Sequence, residues 1–136
     1  MERKPPYLSL PSRRKRNRPE DDLQRSVCGL LDLYVNMGRL RYFHIPNGGK
    51  RSKIEVAIMK GLGVKAGVPY LCGLITNGPT LFFELKAPGK GKSSDAQLEW
   101  AAWLNNNGFD CRICDNVEGV HETVKWGLKQ ARKVAA

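Results

Sequence analysis

The 136-residue chain predicts an α/β fold, a mixed β-sheet flanked by helices. Three observations carry that expectation. Segments of helical and strand periodicity follow one another in the order helix, strand, helix, strand, strand, helix, strand, helix. Asn77-Gly78-Pro79 separates two apolar runs and reads as a hairpin turn, which makes those two strands antiparallel, whereas strands separated by helices are expected to pair in parallel. Finally, 41% of the residues are hydrophobic, enough for one packed core in a chain of this length.

Each element has its own local signal. Residues 1–19 hold Pro5, Pro6, Pro11 and Pro19 among Arg and Lys, so they are expected to form an extended or disordered arm, with one folded domain over 20–136. Glu20, Asp21 and Asp22 complement the positive end of a helix, whose apolar face is Leu23, Val27, Leu30, Leu31 and Tyr34 and whose stop is Gly38. Arg41 to Ile45 is a short strand ended by Pro46, and Asn47-Gly48-Gly49 is a loop. Ser52 caps a second helix reaching about Leu62. Pro69 to Thr76 and Thr80 to Lys86 are the two hairpin strands, and a basic loop follows at Pro88 to Lys92. A third helix runs from about Asp95 to Asn107 before Gly108, with Leu98, Trp100, Ala101, Trp103 and Leu104 expected in the core. Phe109 to Cys114 is a strand, and Val117 to about Lys133 a last helix.

Charge narrows the partner. There are 23 Lys and Arg against 13 Asp and Glu, a net charge of +10. Seven basic residues and only Glu2 lie in 1–19, a net of +6. A second stretch, 39–65, has Arg39, Arg41, Lys50, Arg51, Lys53, Lys60 and Lys65 against Glu55, again +6. The arm reads equally as a solvated tail or as a nucleic-acid contact; the second stretch, embedded in the fold, favours nucleic acid. No window approaches the ~18 consecutive apolar residues of a membrane span. The N-terminus lacks the apolar stretch of a secretory signal, and four unevenly spread cysteines do not make a disulfide scaffold. A cytoplasmic protein is expected, with no membrane partner.

The residues able to carry chemistry cluster in few places. In Thr80 to Lys86, alternation puts Glu84 and Lys86 on one face, ~7 Å apart, and Leu81, Phe83 and Leu85 on the other. A carboxylate and an ammonium at the end of an apolar strand are either an ion pair or a chemical site, and the strand alone leaves both open. Ser94-Asp95-Ala96-Gln97 fits a capping box, a structural role that would by itself account for Gln97. His44 in His44-Ile-Pro-Asn-Gly-Gly-Lys-Arg51 stands before two glycines and two cations, a setting suited to a phosphate. Cys111 and Cys114 fall on opposite faces of a strand, which suits neither zinc nor a redox pair, and His121 has no evident partner.

Taken in order, Glu20-x-x-Leu23-Gln24, the His44 to Arg51 segment, Gly63-Val-Lys-Ala-Gly67-Val-Pro69, Glu84-Leu-Lys86 and Ser93-Ser94-x-x-Gln97-x-x-Trp100 resemble the VRR-NUC family (virus-type replication-repair nuclease) over about residues 20–120. That family is a branch of the PD-(D/E)xK nucleases, so the resemblance implies a restriction-endonuclease-like core and metal-dependent phosphodiester hydrolysis with Mg2+ or Mn2+. It implies Glu84, the backbone carbonyl of Leu85 and Glu20 as metal ligands, Lys86 as the catalytic lysine, and Gln97 beside them. The basic segments themselves point to DNA contacts from His44, Asn47, Lys50, Arg51, Lys53, Lys90 and Lys92. Small members look like homodimers acting on branched DNA such as four-way junctions. In one place the chain departs from the pattern: after Pro69 stands Tyr70, where the family has aspartate. A phenol of pKa ~10 is a poor ligand for a hard cation. Two readings follow, a nuclease inactivated by that residue, or a protein that binds DNA without cutting or recruits Glu20 in its place.

Overall fold

The computed structural model describes residues 19–46, 52–89 and 91–132. Apart from Pro19, the expected arm lies outside them. The elements are α1 (Pro19–Asn36), β1 (Leu40–His44), α2 (Lys53–Gly61), β2 (Leu71–Ile75), β3 (Thr80–Leu85), α3 (Asp95–Asn106), β4 (Asp110–Cys114) and α4 (Val117–Gln130). The helices and strands thus occur in the expected order. They build one four-stranded sheet in the order β1-β2-β3-β4.

The hairpin forms as its turn chemistry requires, with β2 antiparallel to β3 and Asn77 in the left-handed region at φ 56°. The β3 and β4 strands, joined through α3, are parallel. The same expectation fails for β1 and β2, which are separated by α2 and yet pair antiparallel, Leu40 opposite Ile75 and His44 opposite Leu71. The reason lies in α2 itself. It buries no residue, so it is an excursion between strands and does not cross back over the sheet.

The core lies on one face. Leu23, Val27 and Leu31 of α1 and Val120 and Val124 of α4 close over Leu40, Leu71, Ile75, Leu81, Phe83, Leu85 and Cys114. Those from β2 and β3 are odd-numbered positions, so the period of two along the strands sets which side chains are buried. His121 does have a partner there: its Nε2 lies 2.8 Å from the Tyr34 hydroxyl, tying α4 to α1. Cys72, Cys111 and Cys114 are buried thiols.

The opposite face carries Phe82, Glu84 and Cys111, and α3 lies against its β4 side. There Asn105 donates to the Cys111 carbonyl (3.1 Å) and accepts from the Cys111 amide (2.9 Å). Only Leu104 of α3 is buried. The expected core placement fails for Leu98 and Trp103, which are 50% and 54% exposed, while Trp100 and Ala101 are half-buried. A helix with the sheet on one side and no layer outside it can bury only a narrow stripe, and the two tryptophans flank that stripe.

One glycine lets a loop pack on the start of α3. Gly67 has φ +84°, and a Cβ there would sit 2.5 Å from the Ala96 carbonyl carbon. The loop leading into β2 thereby reaches the first turn of α3. Gly67→Ala is expected to lower stability by about 2 kcal/mol or more, through both the backbone conformation and the collision. Thermal unfolding of the variant measures it.

Candidate active site

β3 delivers Glu84 into the sheet with a relative exposure of 2%, and Lys86 follows just beyond the strand. The Lys86 main-chain amide donates to the Cys114 carbonyl (2.9 Å), which anchors its backbone to β4. Lys86 Nζ lies 3.5 Å from Glu84 Oε1, so the two side chains share a face as alternation requires and form an ion pair.

Gln97 locks the pair. The capping box is complete: Ser94 Oγ accepts from the Gln97 amide (3.2 Å), and Gln97 Oε1 accepts from the Ser94 amide (2.9 Å). The same Oε1 accepts from Lys86 Nζ (2.6 Å), while Gln97 Nε2 donates to Glu84 Oε1 (3.0 Å). One amide thus caps α3, holds the ammonium and holds the carboxylate. The capping role does not stand in place of a site role; the side chain performs both.

Tyr70 enters from the other side. Its carbonyl accepts from the Ile45 amide (2.7 Å) and from His44 Nδ1 (3.0 Å), and its ring stacks on His44 with centroids 5.4 Å apart and planes 11° from parallel. Gln24 Nε2 of α1 lies 3.4 Å from the same His44 nitrogen. Gln24 was not expected to be a site residue, although it stands four residues after Glu20 and so on the same helix face. His44 is exposed at the end of β1, and its Nδ1 is engaged with the Tyr70 carbonyl.

Electrostatics ties these groups together. Burial pushes the Glu84 carboxyl above its ordinary range, Lys86 and the nearby backbone amide of Tyr70 pull it back, and Glu20 pushes it up again. The Tyr70 phenol is raised by burial and then by Glu20, Glu84 and Asp21, so it holds its proton more tightly than a free tyrosine. Burial, followed by the Glu84 charge, drives the Cys111 thiol up to about 11. Glu20, in the first turn of α1, is thus within electrostatic reach of both Glu84 and Tyr70.

Of the remaining expected residues, the Leu85 side chain is in the core and its main chain is in register with Cys114. Lys53 and Lys92 are exposed. Asn47, Lys50, Arg51 and Lys90 lie outside the described residues.

The donor set decides what the site can hold. Glu84 Oε2 is buried with no hydrogen-bond partner among the described residues, the kind of orphan oxygen a cation would satisfy. Yet no group of three or more His, Cys, Asp or Glu side chains able to hold a metal occurs among the described residues. The position expected to supply the second carboxylate carries a phenol whose ionisation is suppressed. These residues do not fit a divalent ion held by protein ligands alone.

No protein-family model matches the sequence, and no curated protein does. Among solved structures, the chain is similar to a VRR_NUC domain protein with a TM-score of 0.64 at 23% identity, covering 84% of this chain and 91% of that one. The mixed sheet and its flanking helices are thus a fold shared along nearly the whole of that neighbour.

Glu84 has a consequence for stability. Its folded-state pKa is above the ordinary value of 4.5, so its contribution to stability is greatest below that pH and is lost as pH rises through the folded value. Glu84→Gln mimics the protonated form, and is expected to melt above the parent at pH 7–8, with the difference shrinking toward pH 4. Melting temperatures across that range check the sign.

Proposed function

We propose that the chain is a DNA endonuclease of VRR-NUC type, directed at branched DNA such as four-way junctions, whose Mg2+ or Mn2+ site is weakened by Tyr70. The observation that carries this reading is the buried Glu84 carboxylate, clasped on one oxygen by Gln97 and Lys86 and orphaned on the other, in a fold shared with a VRR_NUC domain protein. Lys86 supplies a fixed positive charge for a phosphate, Gln97 sets its direction, and Glu20 is the next carboxylate in electrostatic reach. A second reading, a DNA- or junction-binding protein that does not cut, is favoured by the raised pKa of Tyr70, which denies a cation its second anionic ligand.

Tyr70→Asp separates the two. As it stands, the chain is expected to bind Mn2+ weakly or not at all, and to cut a four-way junction weakly or not at all while binding it. Tyr70→Asp is expected to gain both Mn2+ binding and metal-dependent cleavage. A folded Tyr70→Asp protein that binds DNA and gains neither would leave the non-cutting reading. Glu84→Ala or Lys86→Ala in the Tyr70→Asp background is expected to abolish cleavage and spare binding. If phosphate contacts carry the affinity, log K should fall by roughly 0.9 per neutralised phosphate for each tenfold increase in salt.

A homodimer is also part of this reading, and α2 supports it. An isolated helix of nine residues is marginal in water, yet α2 leaves Ile54 (75%), Ile58 (58%) and Leu62 (79%) exposed on one side. The chain is expected to sediment as a dimer, and Ile54→Asp/Ile58→Asp as a monomer.

A further inference from the structure

An aromatic run crosses the sheet face that carries Glu84. Phe82 precedes Glu84 by two residues and shares its face; its ring meets Phe109 edge-on, centroids 6.1 Å apart at 80°. Phe109 lies nearly parallel to Trp103 (6.3 Å, 19°), and Trp103 meets Trp100 edge-on (6.2 Å, 72°). Glu99, Trp100 and Trp103 line a cleft of about 330 Å³, open to solvent. Neither the core nor the Glu84 clasp uses these indole surfaces.

The lining specifies a ligand. The two indoles stand 72° apart, so a flat ring can stack on one and meet the other edge-on, at a size that admits one base. Glu99 only accepts hydrogen bonds and repels a phosphate, so the ring must bring donors on its edge. Guanine does so best, because its N1–H and N2–H point the same way and match the two oxygens of a carboxylate. The position suits a strand already at the site. Along α3, Trp100 and Trp103 stand ~4.5 and ~9 Å beyond Gln97. At ~3.4 Å per stacked base, that is one to three steps from the Glu84 clasp.

Resting on the reading of the Glu84 site given above, we propose that the Glu99–Trp100–Trp103 cleft binds an unpaired guanine of the DNA strand lying at that site. Trp103 stacks on the base, Trp100 meets it edge-on, and Glu99 reads its Watson–Crick edge. Branched DNA supplies such a base with little or no unpairing, whereas a closed duplex does not.

Fluorescence anisotropy with the full-length chain tests this, using a junction with one unpaired guanine at its branch point, the same junction with thymine there, and a closed duplex of equal length. The guanine junction is expected to bind most tightly. Trp103→Ala is expected to weaken it about tenfold while changing duplex affinity by less than about twofold. Glu99→Gln, at an exposed position that does not endanger folding, is expected to erase the preference for guanine over thymine. Salt-dependent DNA binding with no guanine preference in the parent overturns this inference and leaves the nuclease-type reading standing. Absence of any DNA binding overturns that reading as well. Equal loss on all three DNAs by Trp103→Ala, together with conversion of a dimer to a monomer, makes the cleft a contact between copies and also overturns the inference.

Discussion

A carboxylate taken out of water must find donors, and the hydrogen bond from Gln97 to the buried Glu84 is the interaction around which this end of the molecule is organised. Gln97 can make that bond only from the first turn of α3, and it is held there by Ser94 on one side and Lys86 on the other. The cap that starts the helix and the clasp that orients the charges are one set of hydrogen bonds. Disturbing either disturbs both, and a polar network sharing a single side chain is expected to lose more than the sum of its parts.

The fold supplies the geometry for this without special strain. Parallel pairing of β3 with β4 requires a crossover, and α3 is that crossover, laid on the face opposite the main core. The loop carrying Tyr70 packs on the first turn of α3 where Gly67 approaches Ala96, and Tyr70 lies within electrostatic reach of Glu84. Helices α1 and α4 fill the other face with leucine and valine, so the buried charge and the apolar core are separated by the thickness of one sheet. What the clasp leaves open is a single carboxylate oxygen, and what stands beside it is a phenol.

Much of this was legible in the sequence because it is local. Alternation placed Glu84 with Lys86, the Ser94-to-Gln97 spacing gave the cap, and Asn77-Gly78 gave the hairpin. The failures concern what packs on what. The β1–β2 pairing departs from the expected direction because a helix between strands says nothing of whether it lies on the sheet, and α2 does not. Apolar character places Trp103 in the core, but only the layers around α3 determine how wide a stripe it buries. For Gln97 the capping role is a matter of spacing and its place beside Glu84 and Lys86 is implied by the resemblance alone, since those contacts depend on where α3 crosses the sheet. The tie between His121 and Tyr34 joins residues far apart in the chain and has no local signature.

The mixed direction of the strands also separates local from long-range closure. The β2–β3 hairpin closes across residues 76–79, whereas the β3–β4 pair closes across residues 86–109, through α3. The entropy cost of closing a loop grows with its length. The strand that carries Glu84 therefore belongs to the most local pairing of the sheet, and Gln97, its partner, is brought to it by the longer closure.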